Sequence, residues 1–372
     1  MSVKTRTVQI PNKLVEQGNI TVLKERPEIK EGAVLLKKGE VVAFPTETVY
    51  GLGADATNSS AVAKIFKAKG RPQDNPLIVH IGSRDQLDQL VKGEISEDVE
   101  SLVKAFWPGP LTVILPKNNT IPERTTAGLN TVGIRMPSHP VALALIQAVG
   151  SPLAAPSANS SGYPSPTRAE HVLDDLSGLI PYIIDGGGCE VGVESTVILV
   201  GGNQPTILRP GGITREEIER VLEKRVLMSG DHSNDESKIS TPISPGVKYR
   251  HYSPSTPVKL VEPINRENID NFLGIIEEAE DEKLGLVLTR ESKLILEKKL
   301  SKRLNLSEKV KLIAMGSRQN PEQIAQNIFA ILRELDNKDN ELIIVESVIE
   351  AGLGEAIMNR LHKAAADYIY FN

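Results

Sequence analysis

The chain holds a single cysteine, Cys189, in 372 residues, so an internal disulfide is excluded. No apolar run approaches the ~20 residues that cross a bilayer, so no membrane association is expected. The opening MSVKTRTVQIPNK has no apolar core of a secretory signal, and the cytoplasm is the expected location. Strong positive charge is missing too. The formal net charge is −5, which argues against a surface built to wrap nucleic acid. A local basic cavity for a small anion and a transient RNA contact stay open.

Several chemical signatures are also absent. There is no G-x-x-x-x-G-K-[ST] phosphate loop and no G-x-S-x-G elbow. The six histidines are scattered and no Cys-x-x-Cys occurs, so a zinc site is not expected. GLGADA (51–56) fits G-x-G-x-x-A, with Asp74 near the offset of a ribose-binding acid. It is rejected as a dinucleotide fingerprint. Pro45 and hydroxyl and acidic residues crowd its strand, and no parallel βαβ unit surrounds it.

With 40% hydrophobic and 24% charged residues, the composition is that of a soluble globular protein, and the length suits two domains. Residues 1–215 interleave short β-branched runs with helical runs and many Gly/Pro turns. Strands are expected at 41–46, 76–81, 111–116, 132–137, 182–187, 195–200 and 206–211, and helices at 59–69, 84–91, 96–106, 138–149, 168–176 and 214–223. This predicts an α/β domain on a twisted, mixed sheet. Residues 226–255 are rich in Ser, Pro and Asp and read as a linker, except that KYRHYSP (248–254) concentrates aromatic and cationic side chains. Residues 256–372 alternate strands with helices, notably at 321–335 and 354–366. They predict a small parallel-sheet, Rossmann-like domain without a glycine fingerprint.

The densest chemical signal is KAKGRPQDNPLIVH (67–80). Lys69 and Arg71 flank Gly70 at a helix end and are expected to project together from a loop that a phosphate can approach. Five further segments read as ligand loops. PTETVYGLG (45–53) alternates Thr46, Thr48 and Tyr50, which would share a face on a strand. TVGIRMP (131–137) sets Thr131 and Arg135 in an apolar strand, where a buried cation needs a partner. APSANSSG (155–162) offers Ser157 and Asn159. DGGGCEVGVEST (185–196) offers Glu194, Ser195 and Thr196. ILRPGG (207–212) supplies Arg209. Hydroxyls, amides and cations without an obvious nucleophile–base pair suit an anionic nucleotide and a small polar molecule better than hydrolysis.

KAKGRP followed by PSAN resembles the paired K-x-R and S-x-N signature of the YrdC-type threonylcarbamoyl-adenylate synthases. PTETVYGLG, NPLIVHI, WPGPLT, GIRMP, DGG…GVEST and LRPG follow in the family's order, across roughly residues 25–215. HYSP and the Rossmann-like tail resemble the family's long, two-domain branch. The resemblance implies a YrdC-like catalytic domain at 1–225, a linker or lid at 226–255 and a C-terminal domain at 256–372. It implies that L-threonine, bicarbonate or CO2, and ATP give threonylcarbamoyl-adenylate and pyrophosphate. The product then passes to a downstream transferase that modifies the adenosine beside the anticodon in certain tRNAs. A Mg²⁺ ion would travel with ATP rather than on dedicated protein ligands.

By family position, Lys69, Arg71, Ser157 and Asn159 carry the catalytic signature. Arg71, Asn75, Thr131, Ser157, Ser165 and Arg209 should line the nucleotide, with Tyr249 and Tyr252 closing over it. Thr48, His80, Arg135, Ala155 and Ser195 should line threonine. The competing expectation is a module that binds double-stranded RNA or tRNA without catalysis.

Overall fold

The computed structural model describes residues 3–201, 204–229, 251–279, 283–337 and 339–369. The chain divides into two compact units. One comprises residues 1–161 and 165–249, the other residues 162–164 and 250–372.

The strands of the first unit are β1 (Arg6–Gln9), β2 (Val42–Phe44), β3 (Gly51–Asp55), β4 (Ile78–His80), β5 (Leu111–Pro116), β6 (Thr131–Arg135), β7 (Leu153–Ala154), β8 (Tyr182–Asp185), β9 (Thr196–Leu199), β10 (Thr206–Arg209) and β11 (Leu227–Met228). They form one mixed sheet in the order β1-β8-β2-β3-β7-β4-β6-β5-β9-β10-β11. Both faces are apolar, and the alternation of a strand shows why. In β2 the side chain of Ala43 enters one core, while Val42 and Phe44 enter the other. The first core is packed by the helices Ser59–Lys69 and Glu97–Phe106, the second by Pro27–Lys37 and Pro140–Val149.

Local chemistry sets the helix ends. Asn58 accepts from Ser60 N and Ala61 N at the start of Ser59–Lys69, and Gly70 closes it in the left-handed region at φ 63°. Thr214 and Glu217 form a reciprocal capping box before Arg215–Leu222.

Three expectations for this unit need correction, and one is upheld. A β-strand (β1) and three helices (Asn12–Gln17, Ile20–Lys24, Pro27–Lys37) occupy the N-terminal region, where none was expected. The helix expected at 84–91 is only Asp85–Asp88, because Val91 and Lys92 turn away to bond the end of β5. GLGADA is largely strand, since β3 runs through Gly51–Asp55; this agrees with its rejection as a phosphate turn. The TETVY segment is not extended. Thr46 and Thr48 bond each other at 2.8 Å, but the Tyr50 hydroxyl turns to Gly187 O (2.7 Å) and Asp185 (3.2 Å).

The second unit has an all-parallel sheet of β12 (Val258–Val261), β13 (Leu284–Thr289), β14 (Val310–Gly316), β15 (Leu342–Glu346) and β16 (Asp367–Ile369), in the order β14-β13-β15-β12-β16. Its helices include Pro321–Leu335 and Leu353–Ala364, close to expectation. At the end of β15 the fully buried Glu346 accepts from Ile264 N, Thr289 N and Ser292 Oγ and pairs with Arg318 at 2.6 Å. Residues 162–164 belong to this unit. Tyr163 O–H bonds Asp336 and Arg333 donates to Pro164 O at 2.6 Å. Tyr252, expected in a lid, is buried here, stacked on Phe329 at 5.3 Å with Arg360 over its ring. Residues 244–250 of that expected lid, Tyr249 included, lie outside the described residues.

Two glycines should respond oppositely to alanine. A Cβ on Gly211 would lie 2.3 Å from backbone atoms of Glu194, Ser195 and Thr196, which cannot yield. Gly211→Ala should cost more than ~3 kcal/mol or prevent folding. Gly274 lies in the helix Ile269–Glu278 with open space around it, so Gly274→Ala should gain roughly 0.5–1 kcal/mol. Thermal unfolding of both variants checks this.

Candidate active site

Register brings the site residues to one end of the first sheet. His80 and Arg135 are paired positions at the ends of the parallel strands β4 and β6. Strand β5 runs antiparallel to β6, so Thr112 begins at that same end. Ser195 precedes β9, which runs parallel to β5, and Arg209 ends β10 opposite Val197.

Hydrogen bonds join these residues into two groups. In the first, Arg209 donates to Ser195 O (3.0 Å) and Ser195 Oγ (3.2 Å), and Ser195 Oγ lies 2.8 Å from Thr112 Oγ1. The neighbouring Glu194 carboxylate accepts from Ser165 Oγ at 2.6 Å. In the second, Arg135 Nη1 donates to Thr48 Oγ1 at 2.9 Å. Its Nη2 lies 2.6 Å from Glu47 Oε1, and both side chains are about 4% exposed. The turn carrying Glu47 is held by Val191 N and Gly192 N, which donate to Glu47 O and Thr48 O.

The K-x-R and S-x-N motifs meet. Lys69 is the last residue of its helix and is only 4% exposed. Its Nζ donates to Ser157 O at 2.6 Å and to Asn159 O, and reaches Asn159 Oδ1 at 3.4 Å. Its own carbonyl accepts from Ser161 N. The expectation that Lys69 and Arg71 project together from an open loop is therefore corrected. Lys69 is buried because the carbonyls of the 157–159 loop solvate its ammonium. Arg71, half-buried, donates instead to Asn75 O (3.3 Å) and Pro76 O (3.0 Å). Asn75 is 2% exposed, and its Oδ1 is buried without a hydrogen-bond partner.

The remaining expected residues sit as follows. Ala155 N donates to Ile78 O, which places Ala155 beside β4. Thr131 starts β6, four residues from Arg135 and about 13 Å along the strand, so it lies apart from the Arg135 group.

Burial sets the protonation states. His80 is pushed down to about 3 by desolvation and then by the Arg135 charge, so its imidazole is neutral. Burial, followed by the Glu47 charge, raises the Cys189 thiol, which stays protonated at neutral pH.

Glu47 and Thr112 are the site residues that sequence reading missed. Strict alternation aims Glu47 away from Thr46 and Thr48, and only the irregular turn lets it face Arg135. A carboxylate between two hydroxyls beside a strand-ending proline was the available signal. Thr112 lay within the quoted WPGPLT block, but nothing separated it from ordinary strand threonine.

The comparisons bear directly on this arrangement. Residues 34–211 match the Sua5, YciO and YrdC family model, described as telomere recombination. Residues 213–366 match the model of the threonylcarbamoyl-AMP synthase C-terminal domain. The chain is 47% identical to the Bacillus subtilis threonylcarbamoyl-AMP synthase, over 91% of this chain and 93% of that protein. It is 44% identical to the Pyrococcus abyssi threonylcarbamoyl-AMP synthase, over 92% and 95%. The crystal structure of P. abyssi Sua5 complexed with L-threonine matches with a TM-score of 0.80 and 42% identity, covering 100% of both chains. A sheet end lined by paired cations and hydroxyls, followed by a parallel-sheet unit, is thus the architecture of a YrdC-type enzyme. The chain belongs to the threonylcarbamoyl-AMP synthase family, in its two-domain form.

Two outcomes follow from the burial. Lys69→Met removes the donor from buried carbonyls, at about 1–3 kcal/mol for each acceptor left unsatisfied. It should lower the melting temperature clearly more than Arg71→Ala does. The second outcome concerns acid. His139, which accepts from Val141 N, is likewise pushed down to about 4 by burial. The unfolded chain binds both imidazole protons first, so stability falls as pH drops below about 6.5. The loss continues to about 4 for His139 and about 3 for His80. Each contributes a slope of roughly 1.4 kcal/mol per pH unit. Urea unfolding across that range measures the loss, and His80 and His139 resonances titrating near 6.5 in the folded chain would contradict it.

Proposed function

We propose that the chain makes L-threonylcarbamoyl-adenylate from L-threonine, CO2 or bicarbonate, and ATP, releasing pyrophosphate. The observation that carries this reading is the full-length likeness to a protein solved with L-threonine, at 42% identity. The Arg135 group supports it, because a guanidinium with buried N–H groups lacking hydrogen bonds suits an amino-acid carboxylate. In this reading Thr48, His80, Ala155 and Ser195 complete the threonine side. The product feeds threonylcarbamoyl transfer to the adenosine beside the anticodon of certain tRNAs, in the cytoplasm, by way of a separate transferase, with transient tRNA contact.

The chemistry needs positioning and charge stabilisation more than a nucleophilic side chain. A threonine carbamate oxygen attacks the α-phosphorus, and pyrophosphate leaves with the bonding electron pair. Arg71 and Arg209 neutralise phosphate oxygens. Asn75 Oδ1, a buried acceptor without a partner, takes a donor from the nucleotide. Ser165, Thr131 and Tyr249 belong to the same side. Lys69 fixes the Ser157–Asn159 loop whose groups face the phosphates. The cations gathered here suit a metal held by phosphate oxygens rather than by protein carboxylates. Mg²⁺ would come with ATP and offset its charge.

Pyrophosphate release should require ATP, L-threonine and bicarbonate together, and release without threonine would refute the reading. Arg71→Ala should lower turnover about tenfold to a hundredfold, since a charge-assisted hydrogen bond is worth about 1.5–3 kcal/mol. Valine should be a very poor substrate, by up to ~10⁴, with serine intermediate. Comparable release with valine and threonine would remove the side-chain hydroxyl from the recognition scheme.

A further inference from the structure

Glu47 is a buried side chain of the candidate site that the reading above leaves without work. It is 3% exposed, and its carboxylate approaches Arg135 Nη2 to 2.6 Å. The approach is not aligned for a hydrogen bond. Both carboxylate oxygens of Glu47, and Nε and Nη2 of Arg135, are buried without one. A buried ion pair is tolerable when its leftover donors and acceptors are satisfied, and these four atoms are not. The pair therefore presents one anionic acceptor and one cationic donor edge, side by side, at the sheet end where threonine is read.

An α-amino acid is a zwitterion that meets both needs. Its carboxylate satisfies Arg135 and its ammonium satisfies Glu47. The proton inventory is compatible with the same residue, which its contact with Arg135 distinguishes. The amine must lose a proton before it can attack CO2. The titratable groups recorded in interaction with the Glu47–Arg135 pair are His80 on β4 and Cys189 on the 185–196 loop; Glu190, which acts on Cys189, is exposed. His80 is held neutral down to about 3 and is a weak base. The Cys189 thiol stays protonated. Arg135 cannot accept. Glu47 is the carboxylate in contact with Arg135 and beside Thr48.

Resting on the functional reading above, we propose that Glu47 binds the ammonium group of the amino-acid substrate and accepts its proton. The step balances as follows. One ammonium proton passes to Glu47, leaving the nitrogen lone pair free. That pair forms the N–C bond to CO2, and a carbon–oxygen π pair moves onto oxygen. A second N–H proton leaves to solvent, giving the carbamate. Glu47 then returns its proton to solvent as product departs.

The test compares L-threonine with (2S,3R)-2,3-dihydroxybutanoate, in which a hydroxyl replaces the amine. Both are titrated into the full chain by calorimetry. The unmodified protein should bind the hydroxy acid about tenfold to a hundredfold more weakly than threonine, the range of one charge-assisted contact. Equal binding overturns the proposal without any variant. In Glu47→Gln that preference should collapse to within about threefold. A preference kept in full would mean that Glu47 only orients Arg135, and the proposal fails.

Pyrophosphate release by Glu47→Gln at neutral pH should fall about 10²–10⁴-fold, the usual share of general-base catalysis. The deficit should shrink as the pH passes the amine's own pKa, because solvent then supplies free amine. A deficit constant with pH overturns the base role. If the unmodified chain releases no threonine-dependent pyrophosphate, the functional reading fails, and that failure is distinct from an unchanged Glu47→Gln.

Discussion

The buried ammonium of Lys69 is the contact on which the site depends. It joins the end of one helix to the loop that carries Ser157 and Asn159, two segments nearly ninety residues apart in sequence. An ammonium out of water needs several acceptors, and main-chain carbonyls supply them without mobile side chains. The loop is thereby fixed by the helix, and the helix end by the loop. Gly70 makes the junction feasible, because its left-handed backbone turns the chain at once after Lys69 and sends Arg71 a different way.

Charge elsewhere in the site follows the same logic. Arg209 is solvated by Ser195, and Arg135 by Thr48 and Glu47. Each cation is held by at least one oxygen of its own chain, and Arg135 keeps Nε and Nη2 without a hydrogen bond. A net charge of −5 is no obstacle to binding an anion when the cations converge on one sheet end. Neutral His80 beside Arg135 adds no second charge there.

Much of this was legible in the sequence. The helix Ser59–Lys69 sits where its cap, periodicity and closing glycine place it, and β5 keeps its expected bounds of Leu111–Pro116. The second unit's parallel sheet followed from its regular alternation. Legibility failed where long-range contacts override local pattern. The three helices of residues 12–37 are short or weakly patterned, and tertiary packing on the second core stabilises them. Tyr50 left its expected face because a hydrogen bond to Gly187 draws it away. Lys69 read as a ligand cation because charge at a helix end is normally solvated by water; its burial depends on a loop that local sequence cannot position. Glu47 was hidden by the same limit, since only the turn's irregular course aims it at Arg135.

The second unit is not contiguous in sequence. Gly162–Pro164 belong to it although more than two hundred residues of the first unit flank them. Tyr163 shares the Asp336 carboxylate with Ser255 N and Thr256 N, and the Arg333 guanidinium lies 5.6 Å from its ring centre. A border drawn once, in the linker, misses this. A fragment cut from residue 256 onward loses nine of its own residues, 162–164 and 250–255, and leaves the Arg333 guanidinium without its Pro164 carbonyl acceptor. The complementary fragment carries a tyrosine and two prolyl-turn neighbours with no surface to rest on. Expression of separate halves, domain exchange between relatives and circular permutation all have to treat the GYP tripeptide as a graft that travels with the C-terminal body.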